Sequence, residues 1–351
     1  MVRPITIAID TMGGDNDGSF ILPGLALSNV RNPDVRFILF GDEKKIHKNI
    51  LKYKKLSKVS SIVNSTVSIG MAEKPSLALK RGRNHSSMWQ SINSVKIGEA
   101  DFIVSAGNTG ALMVMSKLIL KTMSNIQRPA IAAIWPTIKG ESIVLDVGAT
   151  IGADANQLAD FSILGASMAQ SIFNISRPSV SLLNIGVEEV KGLEQIREAS
   201  SILSSNDLFF NYKGFVEGND IGKGEVDVVV MEGFNGNIAL KTAEGTAKQI
   251  SEYFKSAINR SILSKIGYFI AGSAFRALKD KMNPSKVNGG VFLGLNGIVI
   301  KSHGSTDSIG FASAVDLGID MSRSSVLDKI RNNINDFRLL QQHRKVSIKF
   351  D

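Results

Sequence analysis

The chain has 351 residues, 43% of them hydrophobic, so it can bury one large core or two ordinary ones. The absence of cysteine excludes disulfides, thiolate metal sites and a cysteinyl intermediate. The net charge of +9 favours acidic partners, such as phosphate compounds, an acidic carrier protein, anionic lipid or nucleic acid. We expect no metal and no cofactor, because no metal-ligand spacing links the four histidines, His47, His85, His303 and His343.

The sequence shows neither a targeting segment nor the features typical of a nucleic-acid-binding protein. The first residues enter a predicted strand without a charged leader and a long apolar stretch, and no stretch of about 18 residues is apolar enough to span a bilayer. We therefore expect a cytoplasmic protein. Aromatic residues make up 7% of the chain and are not interleaved with the basic runs, which argues against nucleic-acid recognition.

Apolar strands alternate with helical segments along most of the chain. Such alternation predicts a mostly parallel sheet with helices on both faces, an α/β fold, and we expect one domain over residues 1–351. The predicted strands cover residues 5–9, 35–40, 59–69, 101–104, 130–136, 142–148, 179–186, 209–216 and 226–231, with a hairpin through 139–140. Helices are predicted over residues 160–175, 193–203 and 320–350.

The loop at residues 105–110 follows an apolar strand and opens a helical run from Ala111. Such a loop leaves backbone N–H groups free at a helix N-terminus, where the helix dipole also favours negative charge. We interpret it as an anion loop, most simply for phosphate. An ordinary tight turn between strand and helix is the alternative.

Three more predicted strands end in polar, glycine-rich loops, which begin near Asp10, Asn184 and Glu232. In an open α/β sheet such loops converge on one edge, so the pattern predicts a single shared site. The acidic residues at positions 15–17 could instead cap the following helix.

Lys301, His303, Ser305 and Asp307 alternate with small residues after an apolar run. In an extended chain their side chains would point the same way, which suits holding an anion and moving a proton. A capped helix start at residues 305–307 is the alternative.

Basic residues concentrate in three places. Residues 43–58 carry seven lysines, interpreted as a solvated helix face or, alternatively, as a surface that attracts membrane or carrier. Lys80, Arg81 and Arg83 form a local cluster, followed by Ser86 and Ser87 as hydrogen-bond donors. The helical segment 243–281, within an excursion at 245–285, combines apolar and basic positions, which favours either a membrane-surface helix or a hairpin packed at a dimer interface or on the core.

Taken together, these segments resemble the bacterial phosphate acyltransferase family of phospholipid synthesis. The resemblance spans residues 5 to about 315 and rests on an ordered set of motifs: Ile9-Asp-Thr-Met-Gly-Gly-Asp15, Val104-Ser-Ala-Gly-Asn-Thr-Gly-Ala-Leu112, Leu145-Asp-Val-Gly-Ala149, Asn184-Ile-Gly with Lys191-Gly192, Gly224-Glu-Val-Asp-Val-Val-Val230, Gly233-Phe-Asn-Gly-Asn-Ile-Ala-Leu-Lys-Thr242 and Lys301-Ser-His-Gly-Ser305. The chain departs from the family pattern at Asn16-Asp-Gly18, at Thr150 and at Gly152.

The resemblance implies transfer of a long-chain acyl group from acyl carrier protein to inorganic phosphate, with the acyl phosphate passing to a membrane glycerol-3-phosphate acyltransferase. It also implies a three-layer α/β/α fold like that of phosphotransacetylases and isocitrate dehydrogenases. A homodimer, bound peripherally to the inner face of the membrane through the helical excursion, is expected. A short-chain phosphotransacylase that uses acyl-CoA and a non-enzymatic basic binding protein are the alternatives.

The site residues follow from this chemistry. We expect Lys301 and Ser305 to help bind phosphate, His303 to transfer a proton or stabilise the departing thiolate, and Asn235 and Asn237 to donate to the oxyanion. Lys191 is expected to act as an orienting group. The other expected substrate-binding residues are Asp10, Gly13, Gly14, Ser105, Gly107, Asn108, Thr109, Gly110, Asp146 and Asn184.

Overall fold

A computed structural model describes residues 3–15, 18–273, 275 and 289–347. Within these residues the strands form one sheet in the order β3-β2-β1-β4-β11-β10-β5-β6-β9-β7-β8. The strands are β1 (Thr6–Asp10), β2 (Arg36–Gly41), β3 (Ser60–Asn64), β4 (Phe102–Ser105), β5 (Ala130–Thr137), β6 (Gly140–Leu145), β7 (Ser179–Leu183), β8 (Asn211–Val216), β9 (Val228–Val230), β10 (Gly290–Leu293) and β11 (Ile298–Lys301).

Helices cover both faces of this sheet, which confirms the predicted α/β/α fold. The helices of the described residues are α1 (Ile21–Arg31), α2 (Glu43–Ile50), α3 (Lys54–Lys58), α4 (Pro75–Gly82), α5 (Ser87–Lys96), α6 (Thr109–Leu120), α7 (Ala155–Ile172), α8 (Glu194–Ser204), α9 (Gly233–Asn259), α10 (Ile262–Ile270), α11 (Ser308–Arg323) and α12 (Val326–Ser347). In the described part of the chain, no helix combines the length and the apolar character that a membrane crossing would require.

The two faces of the sheet carry separate cores. Ile7 and Ile9 of β1 pack with α1, α7, α11 and α12, whereas Ala8 between them packs with α5 and α6. Because side chains alternate along a strand, a strand that is covered on both faces reads as continuously apolar. All four residues of β4 are buried for this reason.

Strand direction divides the sheet into two halves. β1, β2, β3, β4 and β11 are mutually parallel, and the predicted hairpin of β5 and β6 is present. β10 is antiparallel to both of its neighbours, so β6, β9, β7 and β8 run opposite to the first group. The prediction that all polar loops converge on one edge is therefore wrong, because the carboxyl ends of the two groups lie at opposite edges of the sheet.

Several helix bounds differ from the predicted ones. α7 begins at Ala155, five residues earlier than predicted, because Asp154 and Gln157 form a reciprocal capping box. The helix predicted from residue 320 is divided, since α11 ends at Arg323 and Ser325 has a positive φ of 52°. α1 starts after Phe20 without a side-chain cap, so Asp15 does not cap it.

The excursion consists of α9 and α10 in its described part. Ser261 separates the two helices and caps α10 by accepting a hydrogen bond from the Ser264 amide at 3.0 Å. Gly233 and Gly236 are the buried residues of α9, and α10 has none. The described part of the predicted segment 243–281 therefore leaves its apolar side chains exposed or half-exposed, and residues 274 and 276–281 lie outside the described residues.

Candidate active site

Three polar side chains end three adjacent parallel strands. Asp10 of β1 and Lys301 of β11 both pair in register with Ser105 of β4, which lies between them. The sheet therefore places a carboxylate, a hydroxyl and an ammonium group in one row. These strands are internal to the sheet, and the side of the sheet formed by their carboxyl ends is called the Lys301 edge.

Asp10 organises the row from a buried position. Its carboxylate accepts hydrogen bonds from the Ser87 hydroxyl at 2.6 Å, from the Ser105 hydroxyl at 2.7 Å and from the Met12 amide at 3.3 Å. Burial raises the pKa of Asp10, and these hydrogen bonds and the charge of Lys301 oppose that rise. Ser87, the second residue of the Ser86-Ser87 pair, therefore belongs to the site.

Gly13 and Gly107 allow the loops after β1 and β4 to touch. A Cβ atom on Gly13 would lie 2.6 Å from the Gly107 amide nitrogen, and one on Gly107 would lie 2.6 Å from the Met88 side chain. Gly14 has a φ of 99°, which disfavours any residue with a side chain. All three glycines are predicted site residues. In the structure they allow the backbones of the two loops to pack closely.

Lys301 is a half-buried cation at the end of β11. Its ammonium group donates to the carbonyl of Ala106 at 3.4 Å and to the carbonyl of Ser302. Burial lowers the pKa of Lys301 to about 8, although the charges of Asp10 and Asp15 act in the opposite direction. The group can therefore hold an anion at neutral pH and lose its charge in mildly alkaline solution.

The segment after Lys301 is a turn and not an extended strand. The Thr306 amide donates to the His303 carbonyl at 3.3 Å, so the predicted alignment of alternating side chains beyond Lys301 is wrong. The His303 Nδ1 atom lies 2.9 Å from the Ser305 hydroxyl, and Asp307 caps α11 by accepting from the Gly310 amide at 2.8 Å. The capped helix start considered from the sequence is thus confirmed for Asp307.

His303 lies beside cations of α9. Partial desolvation lowers its pKa, the carboxylate of Glu244 raises it, and the charges of Lys241, Lys301 and Lys248 lower it further. The imidazole is therefore neutral near pH 7. Lys241, Glu244 and Lys248 are not among the predicted site residues, although Lys241 lies within the motif at 233–242.

The loop at residues 105–110 offers backbone donors, while the side chains of Ser105 and Asn108 already form hydrogen bonds within the protein. The Ser105 hydroxyl accepts from the Gly107 amide at 3.0 Å. The Asn108 side chain caps α6 by accepting from the Ala111 amide at 2.9 Å, and it donates to the carbonyls of residues 71 and 73 at 2.8 and 2.9 Å. Thr109 and Gly110 are the first residues of α6, so their amides have no intrahelical acceptor and remain available to an anion.

Asp146 lies at the opposite edge, after β6. Its buried carboxylate accepts from the amides of Ile131, Gly148, Ala149 and Thr150 at 2.6–3.0 Å. Burial raises its pKa, and the four amides oppose the rise. Because its acceptors are filled by backbone amides, Asp146 shapes its own loop, and it does not lie with Lys301.

Asn184 and Lys191 also lie at this opposite edge, after β7. The buried Asn184 amide donates to the Lys191 carbonyl at 3.0 Å, while its Oδ1 atom has no hydrogen-bond partner among the described residues. Lys191 is exposed and pairs with Glu188 at 2.8 Å, which raises the Lys191 pKa. This lysine is therefore a surface cation, remote from the row at the Lys301 edge.

Asn235 and Asn237 occupy the first turns of α9, which starts at the opposite edge. The Asn235 amide donates to the capping carboxylate of Glu232 at 3.3 Å, and the Asn237 side chain donates to the Val147 carbonyl at 3.4 Å. α9 packs closely here, since a Cβ on Gly236 would lie 1.8 Å from the Asp146 carbonyl oxygen. The charges of Lys241 and Lys248 act on His303, so α9 extends from this edge to the Lys301 edge.

The departures from the family pattern have partial structural accounts. The Thr150 hydroxyl donates to the Pro129 carbonyl at 3.1 Å, and its amide binds Asp146 at 2.6 Å, so this position supports the loop after β6. Gly152 has a φ of 72°. Asn16 lies outside the described residues. Among the described residues, no group of three or more His, Cys, Asp or Glu side chains could hold a metal ion.

Solved structures with the same fold include two phosphotransacetylases. The chain matches a phosphotransacetylase from Streptococcus pyogenes with a TM-score of 0.61 and 17% identity, over 92% of this chain and 95% of that one. It matches the EutD phosphotransacetylase from Staphylococcus aureus with a TM-score of 0.57 and 16% identity, over 92% and 94% of the two chains. At these identities the likeness concerns the fold.

Relatives in sequence are much closer. Residues 5–329 match a family model described as a fatty acid synthesis protein. The chain is 58% identical to the phosphate acyltransferase of Azorhizobium caulinodans over 95% of this chain and 94% of that one, and 55% identical to that of Mesorhizobium japonicum over 99% and 98%. The chain belongs to the family of the phosphate acyltransferases.

Proposed function

We propose that this acyltransferase moves a long-chain acyl group from the thioester of acyl carrier protein to inorganic phosphate, and that the acyl phosphate serves phospholipid synthesis. The supporting observation is the row of Asp10, Ser105 and Lys301 beside the N-terminus of α6. A half-buried cation and open helix amides at one place suit an oxyanion ligand. The names of the close relatives support phosphate as the acceptor.

In the proposed reaction, phosphate binds between Lys301 and the amides of Thr109 and Gly110. A phosphate oxygen attacks the thioester carbonyl carbon, the new C–O bond forms, and the C–S bond then breaks to release the carrier thiolate. No acyl-enzyme is needed, because phosphate is already a competent nucleophile and positioning dominates the rate. The positive charges of Lys241 and Lys301 offset the negative charge of the tetrahedral intermediate.

His303 donates a hydrogen bond from its Nε2–H group to the departing sulfur and so stabilises the thiolate. The Ser305 amide can only donate, and it lies 3.4 Å from Nδ1, so Nδ1 accepts and the neutral ring carries its proton on Nε2. We therefore assign Ser305 the orientation of His303; its predicted part in phosphate binding stays a prediction. Asn235, Asn237, Lys191, Asn184 and Asp146 lie at the other edge, and we assign them no step within a single chain.

The finer partners are part of the same proposal. We expect a homodimer at the inner face of the membrane, where it would deliver acyl phosphate to the membrane glycerol-3-phosphate acyltransferase. Support for membrane contact comes from α10, whose Leu263 and Phe269 side chains are 81% and 86% exposed. Lys265 lies between them in sequence, as expected for a helix on an anionic surface.

An assay with three acyl donors tests the function. The purified chain is given phosphate with long-chain acyl-acyl carrier protein, with the matching long-chain acyl-CoA or with a short-chain acyl-CoA, and acyl phosphate is trapped with hydroxylamine. We expect kcat/KM with the carrier to exceed that with acyl-CoA at least tenfold. Equal or faster reaction with short-chain acyl-CoA would instead favour the short-chain phosphotransacylase.

A further inference from the structure

We propose that the outer surface of α4 and α6 is the docking face for the carrier protein, an inference that rests on the proposed function. The face consists of Lys74, Leu77, Lys80, Val114, Lys117 and Leu118, all of which are exposed. A partner that fits it carries acidic side chains around a small apolar patch. Charge complementarity of this kind steers encounter and sets orientation.

The two helices lie side by side. A Cβ on Gly110 would lie 2.7 Å from Pro75, and one on Gly82 would lie 3.1 Å from Met115, so α4 and α6 run in the same direction in contact. Residues 114, 117 and 118 share the outer side of α6 by their three- and four-residue spacing. Leu77 is 56% exposed and Leu118 is 49% exposed, so each helix contributes an exposed apolar side chain to the face.

The cations of this face are uncompensated. Lys74, Lys80 and Lys117 have no carboxylate within ion-pair distance in the described part of the chain, whereas the neighbouring Arg81 is paired with Glu73 at 2.6 Å. Three unpaired lysines around two leucines and a valine leave this face positive. It therefore favours an acidic protein partner.

The docking face is joined directly to the proposed phosphate site. Asn108 caps α6 through its Oδ1 atom and holds the carbonyls of Met71 and Glu73, which lead into α4, through its amide. Met71 also covers the site, because a Cβ on Gly304 would lie 2.5 Å from the Met71 methyl group. A carrier seated on α4 would thus lie close to Met71 and to Gly304 in the loop that follows Lys301, so its thioester arm has a short path to the phosphate.

The lysine-rich helices α2 and α3 form the competing surface. Their lysines are exposed, but α3 packs with α1 on the other face of the sheet, and no described side chain ties these helices to the loop at residues 105–110. They provide matched positions for a control, because reversing two of their lysines changes the net charge equally.

The test compares Lys74→Glu/Lys80→Glu with Lys55→Glu/Lys58→Glu in α3. Binding of fluorescently labelled holo-acyl carrier protein is measured by anisotropy at low salt. We expect Kd to rise about tenfold or more in the first variant and less than twofold in the second, with the difference shrinking as salt screens the charges. Equal weakening in both variants, or weakening in the α3 variant alone, would overturn the docking face.

Activity supplies an independent readout. With acyl carrier protein as donor, kcat/KM of Lys74→Glu/Lys80→Glu should fall at least fivefold more than with an acyl-pantetheine thioester, which has no protein surface. Equal losses with both donors would contradict docking. If the wild-type chain made no acyl phosphate, the proposed function would fail, and the anisotropy measurement would still decide the docking face.

Discussion

Lys301 keeps a positive charge at the end of a buried strand, and burial makes that charge costly. Burial favours the neutral amine, while Asp10 and Asp15 favour the ammonium form, and the result is a pKa of about 8. In our proposal this charge is used for binding phosphate. Its loss should therefore be visible in the pH dependence of the reaction.

We predict that kcat/KM for phosphate falls as pH rises through about 8. The ammonium form exists below its pKa, so phosphate binding is complete under those conditions and is lost above them, by up to tenfold per pH unit. Rates would be measured between about pH 6.5 and 9.5. Lys301→Arg should remove this limb because guanidinium stays charged, and a limb unchanged in that variant would exclude Lys301 as its source.

His303→Ala provides the matched comparison. It should lower kcat by about tenfold to a hundredfold, because the departing thiolate loses a hydrogen bond worth about 1.5–3 kcal/mol, and it should leave the alkaline limb in place. A rate near that of the wild-type chain would remove His303 from the mechanism.

Asn108 and Asp146 show that one residue type can serve a loop or a ligand. Asn108 and Asp146 carry the amide and carboxylate groups expected of ligand-binding residues. In the structure their side-chain atoms already form hydrogen bonds with backbone amides and carbonyls, because a loop that leaves a sheet must satisfy its own buried polar groups. The same residue types bind ligands and support loops, so only the structure shows which groups their side chains contact.

At the scale of elements, the helical excursion has an amino-acid composition that its contacts within the chain do not explain. α10 carries five large apolar side chains that are at least 50% exposed, which are Ile262, Leu263, Ile266, Phe269 and Ile270. A helix with that composition is normally covered by protein or by lipid. Membrane binding is the proposal that accounts for both these side chains and the nearby lysine.

We predict that Ile266→Glu weakens binding to anionic vesicles about tenfold, because burying one isoleucine in lipid is worth roughly 1.5–3 kcal/mol. Co-sedimentation with liposomes measures the bound fraction. Leu339→Glu in α12 is the control, since Leu339 is 52% exposed and Ile266 is 50% exposed. Equal binding of Ile266→Glu and the wild-type chain would exclude α10 as the contact.

At the scale of the whole molecule, the reversal of strand direction separates two sets of polar residues. The Lys301 edge holds Asp10, Ser105 and Lys301 with the loops that follow them, whereas the loops after β6 and β7 and the start of α9 hold Asp146, Asn184, Lys191, Asn235 and Asn237. α9 extends between the two edges and brings its lysines towards His303. One chain therefore presents one candidate phosphate site and a second polar cluster remote from it.

We predict that the two edges respond differently to substitution. Lys301→Ala should raise KM for phosphate at least tenfold, because a charged hydrogen-bond donor is lost, whereas Asn235→Ala should leave that KM within about twofold. Steady-state kinetics with varied phosphate measure both. An equal rise in both variants would mean that the Asn235 edge also binds phosphate, which would require two chains to bring the edges together.

The sequence by itself determined the fold class, the family and most element positions of this protein. Strands such as β1 and β4 are apolar on both faces and are followed by glycine-rich loops, and these are local properties that the chain order displays directly. The capping box of α7 is also a local pattern, in which Asp154 is followed three residues later by Gln157. The ordered motifs identified the family because many short patterns coincide at once.

Only the tertiary structure decided which loops share an edge and which polar atoms remain open. Strand direction depends on the pairing of β10 with its neighbour β11 and with β5, and the β10–β5 contacts join residues more than 150 positions apart that no local pattern relates. The loss of charge at Lys301 depends on burial, and the position of α9 beside His303 depends on packing. These properties arise from distant parts of the chain meeting, and they define the site.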